Sequence, residues 1–330
     1  MKKTLVVAAG LAVLSTSAFA SKARMSALSQ GDVLGSYYMD DNRNIWRMPH
    51  QVNTHNNFVI TEWAGGEKGS ATAAPEGGFF RSGATMNYGL YLNSDSRNNI
   101  TASQDPSRVD LFVAGSGSME WGARLGYASF TSGDDKGSAM DLTLSAVLGG
   151  ANVWLGFAPS ATTTVTDTDT EYNSDMSLGF TYGVADHTLF AEYSSEGGTG
   201  DQDAMTSIVV GMGKTMAAGD NATVFYDVQV NSVSNYKHDT KDSLLRVPVR
   251  FGAEVRANSW LTWRASISQS IFGALDEDGD KTSVRTTALG AGASLTWGDL
   301  QLDGTLTSAA SGNLGTDSNL MSNVSATYKF

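Results

Sequence analysis

From Met119 to the C terminus the chain repeats one pattern: apolar and polar residues alternate one for one, in stretches separated by connections that are alternately short and long. Successive side chains of a β-strand point to opposite faces, so each stretch makes one apolar and one polar face. Met119–Phe130 sets Trp121, Ala123, Leu125 and Tyr127 against Glu120, Gly122, Arg124 and Gly126. Ser138–Leu148 sets Met140, Leu142, Leu144 and Ala146 against Asp141, Thr143 and Ser145, and Leu244–Arg256 sets Leu245, Val247, Val249, Phe251, Ala253 and Val255 outward. The short connections are Gly149-Gly150, Ala185-Asp186, Ala217–Asp220, Ala257–Ser259 and Gly298-Asp299. The long ones are Thr131–Gly137, Pro159–Asn173, Ser195–Asp203, Ser234–Asp242, Gly273–Thr282 and Ala309–Ser318. A soluble sandwich has no reason to keep that rhythm.

The chain opens with Lys2 and Lys3, a short apolar run Thr4–Leu14 and the A-x-A sequence Ala18-Phe19-Ala20. These are the three parts of a secretory signal peptide, which predicts cleavage after Ala20 and a mature start at Ser21. No stretch is long enough to read as a transmembrane helix. The chain has no Cys, which removes disulfides and thiolate metal sites and suits an oxidising transit route. Without Lys2 and Lys3, 20 basic residues stand against 34 acidic ones, a net charge of −14. That balance argues against a nucleic-acid partner. The 36 Gly and 5 Pro supply small residues and few breakers for a large closed sheet.

Alternation and turn signals give strands at Asn57–Trp63, Gly78–Asn93, Met119–Phe130, Ser138–Leu148, Ala151–Ala158, Asp175–Val184, His187–Ser194, Ala204–Met216, Ala222–Val233, Leu244–Arg256, Trp260–Phe272, Ser283–Trp297, Leu300–Ser308 and Asn319–Phe330. Val109–Ala114 is shorter than the roughly nine residues needed to cross a bilayer. A rival register promotes it to a strand and puts Asn57–Trp63 inside the barrel. Either way the count is about fourteen, an even number as an antiparallel transmembrane barrel requires. The last stretch, N-L-M-S-N-V-S-A-T-Y-K-F, puts Leu320, Val324, Ala326, Tyr328 and Phe330 on one face and ends on an aromatic residue. That ending resembles the closing strand of Gram-negative outer-membrane β-barrels, and the whole chain resembles their porin-like major outer-membrane proteins. The resemblance implies an all-β transmembrane barrel over 57–330, presented to the barrel-assembly machinery through Phe330. It also implies lipid and lipopolysaccharide as neighbours, with a homo-oligomer left open.

Ser21–Asn56 does not alternate, and Ala23–Gln30 reads as a short helix. Arg24, Gly31, Asp40, Asp41, Asn44 and Pro49 stand in an order that resembles the N-terminal hatch of FadL-type channels, although Met48-Pro49-His50 replaces that family's Asn-Pro-Ala. The segment is therefore either a hatch in the lumen or an extension with no plugging role.

The inward parity collects Glu120, Arg124, Asp141, Glu192, Asp227, Arg246, Arg250, Glu254, Arg264 and Asp303 as lumen-lining residues. A turn at Ala257–Ser259 pairs Arg256 with Trp260 and sets Arg264 opposite Gly252, so Arg246, Arg250 and Arg264 form a candidate basic wall beside Glu254. Facing walls of opposite charge sort solutes; alternatively these groups pair with one another and keep the interior wet. His50, His55, His187 and His238 fall into no nucleophile–base–orienter order, so no enzyme, catalytic residue or cofactor is expected. Asp276-Glu277-Asp278-Gly279-Asp280 lacks the ligand spacing of a calcium loop and reads as solvated, so no metal is expected. Trp63, Tyr127, Tyr193, Trp263, Trp297, Tyr328 and Phe330 suit aromatic girdles. The expected function is passive diffusion of small hydrophilic solutes across the outer membrane. The alternatives are a FadL-type transporter of hydrophobic compounds or a structural barrel without an open pore. An apolar pocket under the hatch favours the transporter, and a continuous polar lumen favours the porin.

Overall fold

The computed structural model describes residues 21–31, 33–64, 75–94, 107–165, 168–200, 203–235, 242–310 and 323–330. The leader, the tips of several long connections and Asn319–Ser322 of the last expected strand lie outside them. The described residues form one antiparallel sheet of 19 strands. In chain order these are β1 (Phe58–Ala64), β2 (Pro75–Arg81), β3 (Asn87–Leu92), β4 (Ser107–Ser116), β5 (Glu120–Ser132), β6 (Asp135–Leu148), β7 (Ala151–Ala158), β8 (Ala161–Val165), β9 (Thr168–Tyr172) and β10 (Asp175–Val184). They continue as β11 (His187–Glu196), β12 (Met205–Ala217), β13 (Ala222–Ser234), β14 (Ser243–Arg256), β15 (Leu261–Glu277), β16 (Asp280–Ser283), β17 (Thr287–Trp297), β18 (Leu300–Ala310) and β19 (Asn323–Lys329). Each wall strand pairs with its neighbour, and β19 pairs with β1 (Thr61 beside Ala326, Trp63 beside Val324), which closes the barrel. β8, β9 and β16 belong to hairpins at the long-loop end, leaving 16 strands in the wall.

Burial is inverted relative to a soluble protein. On β5 Trp121, Leu125 and Tyr127 are exposed, whereas Arg124 is 0% exposed. The same holds on β6, where Met140, Leu142 and Leu144 face out and Asp141 and Thr143 face in. An apolar outer belt around a polar interior is what a strand wall needs between lipid and water. Among the described residues no helix is long and apolar enough to cross a membrane.

The expected count of about fourteen is corrected to 16. Gly78–Asn93 is not one strand but the end of β2, a turn and β3, and the stretch around Val109–Ala114 is a full wall strand, β4. Its apolar run is short, but Ser107, Arg108, Gly115 and Ser116 extend the ladder opposite β5. β1 lies in the wall rather than inside the barrel. β14 carries a bulge at Val247/Pro248, where Pro248 has no N–H to give to the ladder.

Residues 21–31 and 33–57 lie inside the barrel, in the half nearer the short turns. Helix α1 (Lys22–Ala27) is capped by Ser21, whose hydroxyl accepts from the Arg24 N–H. Two 3-10 turns follow, Asn42–Trp46 capped by Asp41, and Pro49–Asn53 with Pro at its start. Two inward glycines let the segment touch the wall: a Cβ on Gly122 would come within 2.2 Å of the His50 nitrogen, and one on Gly290 within 2.5 Å of the Ala27 carbonyl oxygen.

Candidate functional site: the seam between the N-terminal segment and the barrel wall

The segment supplies cations and the wall supplies most of the carboxylates. Lys22 Nζ lies 2.8 Å from Glu76, and its main-chain N–H donates to Glu62 at 2.6 Å. Arg43 Nη1 reaches Glu62 at 3.0 Å and Glu76 at 3.1 Å. Tyr91 from β3 donates to the same two carboxylates, and the Arg43 guanidinium lies 3.8 Å over the Trp46 ring. On the same helix as Lys22, Arg24 bridges Asp41 at 2.6 Å and Glu254 at 2.5 Å. Arg47 donates to Glu192 at 3.0 Å and sits 4.0 Å over Tyr37, which stacks on Phe190. Tyr38 donates to Asp227 at 2.7 Å, and Arg250 donates to the Ser29 carbonyl at 3.1 Å. Each pair is largely removed from water, so losing one partner strands the other.

Burial and partners set the protonation of the segment's own groups. Burial pushes the Asp41 carboxyl up to about 6, against the pull of Arg24 and the Arg43 N–H. A hydrogen bond from His55 holds Asp40 below the usual carboxylate range. Burial lowers His50 and lifts Tyr37 to about 12. For Arg24 burial works against the charge, but Glu254 and Asp41 outweigh it and keep the guanidinium charged.

The seam also has an apolar half. Ile45, Trp46 and Val52 of the segment pack on Phe58, Ile60, Phe80, Tyr91, Phe112 and Ala114 of β1–β4. Trp46 meets Tyr91 and Phe112 edge to face, with ring centres 4.7 and 5.5 Å apart. On the long-loop side of the segment, Val33 and Leu34 floor a cavity of about 310 Å³ walled by Asp175, Glu192, Ser194 and Glu196.

The structure divides the lumen-lining residues expected from parity. Glu192, Asp227, Arg250 and Glu254 grip the segment, and Asp303 accepts from the Ser21 hydroxyl at 3.1 Å. Arg124 and Asp141 instead pair with each other and with Arg108 and Asp110 on β4. Glu120 is exposed at the short-turn end, and Arg246 is half-buried with no partner for its Nε among the described residues. The turn after β14 spans Ala257 to Trp260, not three residues, so Arg264 stands opposite Glu254 rather than Gly252. It donates to Glu254 at 2.5 Å and to Asp303 at 3.0 Å, and Arg250 lies 3.0 Å from Asp227. Two of the three arginines of the basic wall are therefore neutralised by carboxylates.

Parity missed Glu62 and Glu76 because β1 and β2 do not alternate cleanly; it put Tyr91 on the inner face of β3 without marking it as a polar contact, and it missed Arg43, Arg47, Tyr37 and Tyr38 because the segment has no period. Glu62, a lone carboxylate in an apolar strand, was the available signal. The structure also brings together His50, Ser145 and Asn152: the ring nitrogens lie 2.9 Å from Ser145 Oγ and 3.1 Å from Asn152 Oδ1. Ser145 Oγ also accepts the His50 main-chain N–H at 2.8 Å, so this trio anchors the segment to β6 and β7. Among the described residues no group of His and acidic side chains is arranged to hold a metal.

No protein-family model and no curated protein matches the chain. Among solved structures, the CymD monoaromatic hydrocarbon channel is similar at 13% identity, covering 92% of this chain and 97% of that one, with a TM-score of 0.48. The Pseudomonas putida toluene transporter TodX gives 12% identity, 94% and 97% coverage and a TM-score of 0.41. Acinetobacter baumannii OccAB2 gives 10% identity, 83% and 97% coverage and a TM-score of 0.43.

Proposed function

We propose that the chain is an outer-membrane channel for passive diffusion of small hydrophilic solutes, with residues 21–57 seated in its lumen as a gate. The observation that carries this reading is the chemistry of the interior. Away from the aromatic patch, ion pairs, hydroxyls and amides predominate on the inward side, with Trp154, Phe190 and Phe225 as apolar exceptions under the segment, and the segment is held by non-covalent contacts that can be released as a unit. Once it moves, the surface uncovered on β6, β14 and β18 is polar, and that on β11 and β13 presents Phe190 and Phe225 beside Glu192 and Asp227. The short turns face the periplasm and the long loops the outside, where acidic loops suit lipopolysaccharide phosphates bridged by divalent cations. Phe330, whose N–H donates to the Asn57 carbonyl at the barrel seam, is the contact for the assembly machinery.

A transporter of hydrophobic compounds is the second reading, favoured by the aromatic patch on β1–β4. Those rings are almost fully buried under Trp46, so an apolar site opens there only when Trp46 leaves. Proteoliposome swelling distinguishes the two. Permeation of small sugars and amino acids at rates that fall with solute size supports diffusion through a polar lumen. Impermeability to them, with saturable uptake of an aromatic hydrocarbon, supports the transporter.

A further inference from the structure

Three inward residues form a row across the seam where the barrel closes. Ser325 on β19 stands opposite Glu62 on β1 and opposite Asp303 on β18, so the three side chains share the inner face. Ser21 and Lys22 lie over this row: the Ser21 hydroxyl donates to Asp303, and the Lys22 N–H donates to Glu62. Ser21 and Ser325 are both 0% exposed, and the Ser325 hydroxyl has no hydrogen-bond partner among the described residues. A buried hydroxyl without a partner is costly and calls for a donor or acceptor beside it.

The surrounding charge is also out of balance. The ion pairs of this part of the lumen form two networks: Lys22 and Arg43 match Glu62 and Glu76, whereas Asp41, Glu254 and Asp303 share Arg24 and Arg264. Among the described residues that leaves the carboxylates one cation short.

We propose that the missing cation is the α-ammonium group of Ser21, released when the chain is cut between Ala20 and Ser21, and that it docks between Glu62 and Asp303 with Ser325 Oγ as a third acceptor. Hydrolysis of that peptide bond consumes one water and leaves a carboxylate on Ala20 and an ammonium on Ser21. Three N–H donors then meet three acceptors, and the charge of the cluster closes. Maturation thereby completes the seating of the segment: before the cut, the same nitrogen is a neutral amide with one donor. This rests on the cleavage position and on the seam, and not on which solute the channel passes.

The test uses the processed, folded protein purified from membranes. N-terminal sequencing is expected to begin at Ser21. The pH dependence of acetylation by a water-soluble amine reagent then gives the pKa of the α-amino group. Docking between carboxylates is expected to raise it above the ordinary range of about 7.7–8.0. Burial without such partners lowers it, so the direction separates a built site from simple enclosure. At pH 8 the α-amine is expected to react at least tenfold more slowly than in the heat-unfolded protein. Ser325→Val is expected to lower the pKa and speed labelling in a barrel that still shows heat-modifiable migration. A first residue other than Ser21, a wild-type pKa at or below the ordinary range, or a folded Ser325→Val protein that labels like the wild type each overturns the proposal. The wild-type measurement decides it even if the variant does not fold.

Discussion

Arg24 and Glu254 lie 230 positions apart in the chain and meet inside the barrel through two hydrogen bonds, of 2.8 and 2.5 Å. One residue opens the N-terminal segment and the other ends a wall strand, so this contact reports directly on whether the segment is seated. Arg24 also holds Asp41, which makes it the tie between the two halves of the segment. Replacing it leaves Asp41 without its guanidinium and Glu254 with Arg264 alone. Breaking one side of a buried pair costs about 3–5 kcal/mol. Arg24→Ala is therefore expected to speed amide hydrogen exchange in residues 21–47 by at least tenfold while the strand amides keep their protection. Unchanged exchange in the segment would show that the pair does not hold it.

The apolar half of the seam makes a second prediction. Trp46→Ala removes the ring on which Phe80, Tyr91 and Phe112 pack, a truncation of a kind that costs about 3–5 kcal/mol. Gly122→Leu acts from the other side by placing a side chain where His50 now sits. Both are expected to raise the fraction of time a reconstituted channel spends open, with single-channel amplitude unchanged. A lower amplitude with no change in open time would mean that the residues shape the pore rather than seat the segment.

The pH response follows from Asp41. Its folded pKa of about 6 lies above the ordinary carboxylate value, so the seated state holds a proton that the released segment gives up. The contribution of this group to seating is full below about 3.9, the ordinary Asp value, and is lost as pH rises through about 6. His50 acts in the opposite sense: burial lowers it, so its contribution is present above the ordinary His value of about 6.5 and is lost as pH falls below it. Hydrogen exchange corrected for intrinsic rates is therefore expected to show residues 40–47 less protected at pH 7 than at pH 4, and residues 48–54 the reverse. Asp41→Asn is expected to flatten the first trend only. Identical pH profiles for the two stretches would contradict this assignment.

What the sequence shows and what it hides follow from what fills the barrel. β5 and β6 were legible because their inward side meets charge and their outward side meets lipid, which keeps the alternation sharp. β1 was legible as a strand but not in its faces, and β2 and β4 were not legible, because Phe58, Ile60, Phe80 and Phe112 point inward into the cluster around Trp46 and are apolar for the same reason as their lipid-facing neighbours. The segment that erased the pattern has no period of its own, so neither half of that contact could be read alone. Parity placed Glu192, Asp227 and Glu254 on the inner face but not what they hold: Arg47, Tyr38 and Arg24 approach them from another part of the chain. The register of β14 against β15 turned on one miscounted connection, and that moved Arg264 from Gly252 to Glu254.

The hydroxyls of Ser29 and Ser266 lie 2.8 Å apart, one on the segment and the other on β15, and the chain contains no Cys. Ser29→Cys with Ser266→Cys places the only two thiols within reach of a disulfide, which ties the segment to the wall without removing a charge from the seam. The conductance of this double variant in a planar bilayer, oxidised and then reduced on the same membrane, tests the gate most directly. The expected result is a conductance at least tenfold lower in the oxidised form, restored by reductant to the level of the parent protein. Equal conductance in the two forms, with the disulfide confirmed by mass spectrometry, would contradict the claim that residues 21–57 close the channel.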